Sequence, residues 1–375
     1  MENRTCPICG GEHTTSLKEI TMKIPQDYHL PQSYHVVACD KCGFVYADTA
    51  ASMEDYDWYY THCNFYGDDT KDDNTYRYEM VRDFLEQYCD KDDRMLDIGA
   101  GNGRFEIALK KNGYTNIVGM DSSEMSVERL RNNDVEAYVG SIYSEVLPED
   151  AHKYDCIFLF EVAEHLLCPG LGMQKVRQLL REDGYFIVSV PDYSQIADDP
   201  SDIPNYFNLE HINYFSEVSL DNLMRMYGMK HVAGKRIGKD LICCYQCGDA
   251  DAALEMDNMT RSAVEAFFAA KQGKEERIRC LIADWKEKGS ELVIWGTGSY
   301  VMSLIATTEL LDCKIVGFVD NNKLKQGREM YGYKIYPPEF LQDKEVTIVI
   351  CSMLYAEQIK AQLEELQTAN EIVIL

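Results

Sequence analysis

Apolar and polar positions along this chain fall into two blocks with the same rhythm. In the first block, an amphipathic stretch from Tyr78 to Tyr88 leads to Arg94-Met-Leu-Asp-Ile98, a short apolar run that predicts a strand. A glycine-rich turn, Gly99 to Gly103, comes next, then a helical pattern over Arg104 to Lys111. Asn116-Ile-Val-Gly-Met120 predicts a second strand, Ser123 to Asn132 a second helix, and Ala137 to Val139 a third strand. Tyr154-Asp-Cys-Ile-Phe-Leu-Phe160 and Tyr185-Phe-Ile-Val-Ser-Val190 are apolar almost throughout, the pattern of strands covered on both faces. Strands alternating with helices imply a parallel sheet with helices on either side.

The second block repeats the arrangement after a charged stretch without proline, Met259 to Lys288, which predicts a helical connector. Glu291 to Trp295 predicts a strand, Gly296-Thr-Gly298 a turn and Ser299 to Leu311 a helix. Strands over Lys314 to Val319 and Val346 to Ile350, a helix over Tyr355 to Leu366 and a last strand over Glu371 to Leu375 complete it. The expected fold class is α/β, with three parts: residues 1–75, a small region with an aromatic arm; 76–250, the first α/β unit; and 251–375, the connector and a Rossmann-like second unit.

Cysteines give the first part its identity. Cys6-Pro-Ile-Cys9-Gly and Cys39-Asp-Lys-Cys42-Gly are matching CxxCG units. In such a knuckle the chain turns tightly, both sulfurs face one ion, and the glycine takes the dihedral that other residues resist. Four thiolates from two knuckles make a closed tetrahedral site, so Cys6, Cys9, Cys39 and Cys42 are the expected ligands of a structural Zn2+. Cys243, Cys244 and Cys247 have no matching pair and are expected in a buried strand. Residues 51–78 are rich in aromatics: Tyr56, Trp58, Tyr59, Tyr60, Phe65, Tyr66, Tyr76 and Tyr78. They fit either an arm packed on the next unit or a lid over a ligand pocket.

Charge narrows the partners. With 63 acidic and 37 basic residues the net charge is -26, which repels nucleic acid and anionic lipid. No apolar run approaches the roughly 20 residues that span a bilayer, and the start carries no secretory pattern. The expectation is a cytoplasmic protein acting on a small molecule, with no nucleic-acid or membrane partner; oligomeric state is not legible.

The chemistry lies in the first glycine turn, Asp97-Ile-Gly99-Ala100-Gly101-Asn-Gly103, at the carboxyl end of a strand where open α/β sheets bind ligands. Asp121 ends the next strand, where a carboxylate can accept ribose hydroxyls. A dinucleotide fingerprint would need a third glycine at Arg104. The actual GxGxG, with an acid two residues ahead, resembles motif I of class I S-adenosylmethionine-dependent methyltransferases. That resemblance implies a Rossmann-like class I methyltransferase core. It further implies that Asp97 holds the methionine end, that Gly99, Ala100, Gly101 and Gly103 let the cofactor lie close, and that Asp121 and Ser122 hold the ribose. Ser141 and Ile142 would meet adenine, and Glu161 would close the pocket ahead of Glu164-His165-Leu166. The second turn, Gly296-Thr-Gly298-Ser-Tyr-Val301, followed by Asp320, is a weaker signal: it fits a degenerate Rossmann unit used for packing or substrate holding at least as well as a cofactor site.

A zinc region, a methyltransferase core and a C-terminal Rossmann-like domain together resemble the sugar C-methyltransferases. Asn208-Leu-Glu210-His211-Ile-Asn-Tyr214-Phe215-Ser216 is similar to that family's EHLxYFS segment. The resemblance implies methylation at carbon of a keto-sugar carried on a nucleotide, with His211 as base and Glu210 assisting or contacting the sugar. The competing account has His211 merely packing or orienting substrate. Departures at Asn208, where the family has Tyr, and in the C-terminal glycine loop fall where the sugar nucleotide would be recognised. Rival readings are an O- or N-methyltransferase, a non-catalytic binding protein that keeps the cofactor fold, and an NAD-dependent oxidoreductase using Gly296 to Asp320. The last lacks a Tyr-x-x-x-Lys segment.

Overall fold

The computed structural model describes every residue except 1–3, 26–27, 63–74, 145–152, 199–205, 249–252, 343 and 368–369. The aromatic positions Phe65 and Tyr66, and the side chain of Tyr76, therefore lie outside the described residues.

Three sheets carry the molecule. The first is antiparallel and begins with β1 (Thr14–Thr21), β2 (Ser33–Cys39) and β3 (Val45–Asp48). The helices α1 (Met53–His62) and α2 (Thr75–Tyr88) lead from it into the second sheet. That sheet begins with β4 (Met95–Ile98), α3 (Arg104–Lys111), β5 (Ile117–Asp121), α4 (Glu124–Asn132) and β6 (Glu136–Val139). It continues with β7 (Tyr154–Phe160), α5 (Pro169–Leu179) and β8 (Leu180–Pro191). The two-residue strand β9 (Asn213–Tyr214) returns to pair with β3 and completes the first sheet. After α6 (Glu217–Met226), a hairpin of β10 (Met229–Ile237) and β11 (Asp240–Cys247) closes the second sheet in the order β10-β11-β8-β7-β4-β5-β6.

In that order β4 lies between β5 and β7, parallel to both, and β11 runs antiparallel to β8. The chain thus leaves β4 toward one edge through β5 and β6 and returns to its other side through β7. The crevice at the carboxyl end of β4 is the switch point at which open sheets bind ligands. All four residues of β4 are buried, because helices cover both faces. Sequence patterning located these strands because they are buried on both sides. The α5–β8 junction was less legible: β8 starts at Leu180 rather than Tyr185, since α5 runs into it without a loop. The buried Cys243 and Cys244 sit in β11, as the sequence suggested.

The 30-residue α7 (Met259–Lys288) has the bounds expected of the connector. The third sheet follows with β12 (Glu291–Trp295), α8 (Ser299–Thr307), β13 (Lys314–Val319), β14 (Glu329–Met330), β15 (Tyr333–Tyr336), β16 (Thr347–Ile350), α9 (Ala356–Glu365) and β17 (Glu371–Ile374). Its order is β14-β15-β13-β12-β16-β17. The helix α8 ends at Thr307, four residues before the expected Leu311, where Leu310–Asp312 tightens into a 3-10 turn. The β14–β15 hairpin was not foreseen; its strands are too short and polar to leave a periodic signal.

Apolar cores run across the three parts. Ile24, Tyr56, Tyr193, Phe207, Val264, Trp285 and Ile294 belong to one continuous buried cluster. Cys6, Ile8 and Phe44 belong to another, with Val188, Phe215 and Leu220 of the central unit. Gly43 shows how tightly the first part is held. Its φ is +77°, and a Cβ there would lie 2.1 Å from the carbonyl oxygen of Asp257. Gly43→Ala is therefore expected to lower stability by more than the about 1–3 kcal/mol of a left-handed non-glycine residue alone. Gly238→Ala, also at positive φ but facing open space, should cost only that strain. Thermal unfolding of the two variants checks the ordering.

Candidate active site

The switch-point crevice opens into a cavity of about 640 Å³. Its walls include Asp97, Gly99, Ala100, Gly101, Asp121, Ser122, Ser141, Ile142 and Glu161, so nine of the ten residues expected at a cofactor site converge on one space. The tenth, Gly103, does not line it. With φ +71°, Gly103 precedes α3, and a Cβ there would meet Leu130 Cδ2 at 2.5 Å, so its role is packing.

The turn is shaped by local constraints. A Cβ on Gly99 (φ +85°) would lie 2.4 Å from Val162 Cγ2, so glycine lets the turn pass under the 161–165 segment. Gly101 (φ +54°) has nothing within 4 Å of its Cβ direction, which leaves room for a ligand. Asp121 fixes the turn from β5: Oδ2 accepts the Gly101 N–H at 2.8 Å and Oδ1 accepts the Ser123 N–H at 2.8 Å. Each oxygen keeps further acceptor capacity. Burial raises the pKa of Asp121, and those backbone donors oppose the rise.

Asp97 is nearly fully buried, and burial pushes its pKa up to about 6. Glu106, on α3, is fully buried nearby; its burial and the Asp97 charge raise its pKa well above the usual range. Nothing in the sequence pattern singled out Glu106, since an acid in the first turn of a helix is ordinary. Glu161 adopts φ +56°, uncommon for a non-glycine residue, and its Oε1 accepts the Ser189 hydroxyl at 3.0 Å.

The cavity wall also includes Tyr60, His165 and Lys239. His165 Nδ1 lies 3.0 Å from the Glu210 carbonyl oxygen and 3.1 Å from the Tyr60 hydroxyl. A carbonyl can only accept, so Nδ1 carries the proton and Nε2 the lone pair. His165 Nε2 is 3.8 Å from Glu164 Oε1, and Glu164 is fully buried. His211 and Glu210 are not among the lining residues. His211 stands behind His165, with ring centroids 4.9 Å apart and edge to face. Its Nδ1 is 3.3 Å from the Tyr193 hydroxyl, whose own proton goes to the Tyr206 carbonyl at 2.6 Å. His211 must therefore donate from Nδ1, and its Nε2 also holds a lone pair. Burial lowers the pKa of both imidazoles, so both are neutral at neutral pH. The Glu210 carboxylate accepts the Tyr59 hydroxyl at 2.6 Å.

The aromatic arm divides between its two readings. Tyr59 is a buried packing residue of α1, Tyr60 and Tyr78 form cavity wall, and the buried Tyr56 does both. The rest of the 208–216 segment is structural. Asn213 Nδ2 donates to the carbonyls of Ala163 at 3.1 Å and Leu166 at 2.7 Å, and Ser216 caps α6. The guanidinium of Arg4 joins the same segment, donating to the carbonyls of Leu167 at 2.7 Å and Ile212 at 3.2 Å. Arg4 carried no sequence signal, because its partners are carbonyls distant in the chain.

In the first part, the Sγ atoms of Cys6, Cys9, Cys39 and Cys42 all lie within 4.8 Å of one another. Cys6 and Cys42 are 3.7 Å apart, Cys9 and Cys39 3.4 Å. Thiolates bound tetrahedrally at the usual Zn–S length of about 2.3 Å would be separated by about 3.8 Å, so the four sulfurs fit such an ion. Gly10 and Gly43 have φ of +65° and +77°, as the knuckle turns require. In the C-terminal unit, the Thr297 hydroxyl donates to Asp320 Oδ2 at 2.5 Å. The carboxylate that a nucleotide ribose would need is thus tied to its own turn.

Residues 72–233 match the family described as Methyltransferase domain, and residues 289–374 match the one described as C2185-like, N-terminal. Among curated relatives, the chain is 29% identical over 101 residues to a ubiquinone biosynthesis O-methyltransferase of Caulobacter sp. (strain K31). It is 28% identical over 109 residues to a ribosomal protein L11 methyltransferase of Staphylococcus saprophyticus. Those alignments cover 26% and 28% of this chain, and 40% and 34% of the relatives' own length. Among solved structures, the PH0226 protein of Pyrococcus horikoshii OT3 is similar at 20% identity and a TM-score of 0.42, over 48% of this chain and 94% of that one. The central unit thus matches a methyltransferase domain.

The raised pKa of Asp97 gives a pH signature. Only the ionised carboxylate attracts the ammonium group that S-adenosylhomocysteine shares with the methyl donor. Affinity should therefore rise as pH increases through about 6. In Asp97→Asn the rise should vanish, with a loss of about 1.5–3 kcal/mol at neutral pH, the range for a charge-assisted hydrogen bond. Calorimetric titration across that pH range checks both.

Proposed function

We propose that this chain transfers a methyl group from S-adenosylmethionine to carbon of a keto-sugar linked to a nucleotide, bound against the Tyr60–His165 wall of the cavity. The observation that carries the reading is the pair of neutral imidazoles, His165 in the cavity wall and His211 behind it. Methyl transfer from a sulfonium needs an in-line electron pair at close range. A carbon next to a carbonyl supplies that pair only after losing a proton, and this edge of the cavity offers two lone pairs beside a buried carboxylate. Oxygen and nitrogen acceptors ask less of such an edge.

Glu210 supports the site from its backbone, whose carbonyl fixes the His165 tautomer, and from its carboxylate, which orients Tyr59. Lys239, on the β10–β11 turn, supplies a cation at the cavity wall for a phosphate-bearing acceptor. The chain's net charge of -26 and the absence, among described residues, of a helix long and apolar enough to cross a membrane are compatible with a small-molecule substrate. We assign the four-sulfur cluster to a structural zinc ion, which holds the first sheet against the central unit and takes no part in the chemistry. The three-part division at residues 75 and 250 is kept as a description of function, although β9 belongs to the first sheet.

Two experiments address these assignments. With a 4-keto sugar nucleotide in D2O, the α-hydrogen should exchange with solvent, and added methyl donor should give a C-methyl product. His165→Ala should slow exchange by about 10²–10⁴-fold, the usual worth of a positioned proton acceptor. A methoxy product that retains the α-hydrogen would instead place the acceptor at oxygen. Metal analysis should find one zinc per chain, lost in Cys6→Ser and in Cys39→Ser with unfolding of the first region. A wild-type content well below one, with metal supplied throughout, refutes the zinc assignment.

A further inference from the structure

Behind the cavity wall at His165, the side chains of Glu164 and His211 complete a cluster of three groups. One ligand-type atom from each of these residues lies within 4.8 Å of the other two. The tautomers are fixed by the surroundings. The Glu210 carbonyl takes the Nδ1 proton of His165, and the Tyr193 hydroxyl, its own proton committed to Tyr206, takes that of His211. Each ring therefore presents an Nε2 lone pair. Holding the distal N–H of an imidazole on a carbonyl or hydroxyl is also how proteins prepare histidine as a metal ligand, since it sets the ring's orientation and raises the basicity of the other nitrogen. The third group, Glu164, is fully buried and offers a carboxyl oxygen, Oε1, 3.8 Å from His165 Nε2.

We propose that Glu164, His165 and His211 bind a divalent first-row transition-metal ion at the acceptor end of the cavity, separate from the four-cysteine site. Donor atoms around such an ion at about 2.1 Å stand roughly 3–3.5 Å apart, so small side-chain rotations complete the set. Two imidazoles and one carboxylate leave further coordination positions open. His165 lines the cavity and both histidines are partly exposed, so those positions are within reach of an acceptor. An ion there would draw the acceptor's oxygen and stabilise the negative charge that grows on it; with both Nε2 lone pairs engaged, hydroxide in another open position would take the neighbouring proton and become water. This deepens the methyltransferase reading by requiring an acceptor with an oxygen donor beside the methylated atom, and its purpose rests on that reading.

Mn2+ tests it, because this ion favours nitrogen and oxygen donors and competes poorly for thiolates already holding zinc. The full-length, zinc-loaded chain is titrated with Mn2+ and followed by electron paramagnetic resonance, with spin-echo modulation used to detect coordinated imidazole nitrogen. One ion per chain carrying nitrogen modulation is expected, and the modulation should be lost in Glu164→Gln, His165→Gln and His211→Gln. Each variant is checked for fold by S-adenosylhomocysteine binding without added metal. Mn2+ bound only without nitrogen modulation reports adventitious binding to the acidic surface and overturns the proposal, as does modulation that survives in the variants. Failure of wild type to bind S-adenosylhomocysteine would instead count against the methyltransferase reading, so the two failures are distinguishable.

Discussion

The carboxylate of Asp121 is the hinge on which the site is built. It ends β5 and takes the N–H groups of Gly101 and Ser123, so one side chain ties the glycine turn after β4 to the start of α4. Strand order makes that tie possible. Because β4 lies between β5 and β7, its carboxyl end opens on both neighbours. The turn must leave the sheet there under Val162, and only glycine at position 99 fits beneath it. Backbone geometry, a buried carboxylate and the crevice are thus consequences of one topological fact.

The second organising contact lies between the first part of the chain and the far end of the cavity. Strand β9 pairs with β3, and Asn213, within it, grips the carbonyls of the 163–166 turn. Arg4 reaches the same two segments from the amino-terminal region. His165 and His211 are therefore held by groups belonging to both the first sheet and the central unit. The four-cysteine cluster belongs to the same sheet, since Cys39 ends β2, the neighbour of β3. Tyr59 and Tyr60, on the helix that follows, reach the Glu210 carboxylate and the His165 ring.

Much of this was legible in the sequence, for identifiable reasons. Strands buried on both faces, such as β4 and β7, announce themselves as apolar runs, and the glycine turn with Asp121 announces the crevice. The cysteine knuckles carry their geometry in their spacing. What stayed hidden depends on contacts distant in the chain. The sequence pointed to His211, but the wall belongs to His165, because the 208–216 segment is anchored through Asn213 and Ser216 and sets His211 one ring back. Gly103 looks like a cofactor glycine and is needed instead for the approach of Leu130. Arg4 and Glu106 have no periodic or motif signal at all. The β14–β15 hairpin is too short to leave one.

The most direct test of the central claim uses the open space at Gly101. A side chain there meets no protein atom within 4 Å in the direction of its Cβ, so Gly101→Val fills ligand space with only local backbone strain as its structural cost. Titrating wild-type and variant chains with S-adenosylhomocysteine should give one site per chain for the wild type. The variant should show none while keeping a cooperative thermal unfolding transition. A folded wild-type chain that does not bind, or a variant that binds as well as wild type, would contradict the assignment of this crevice to the methyl donor.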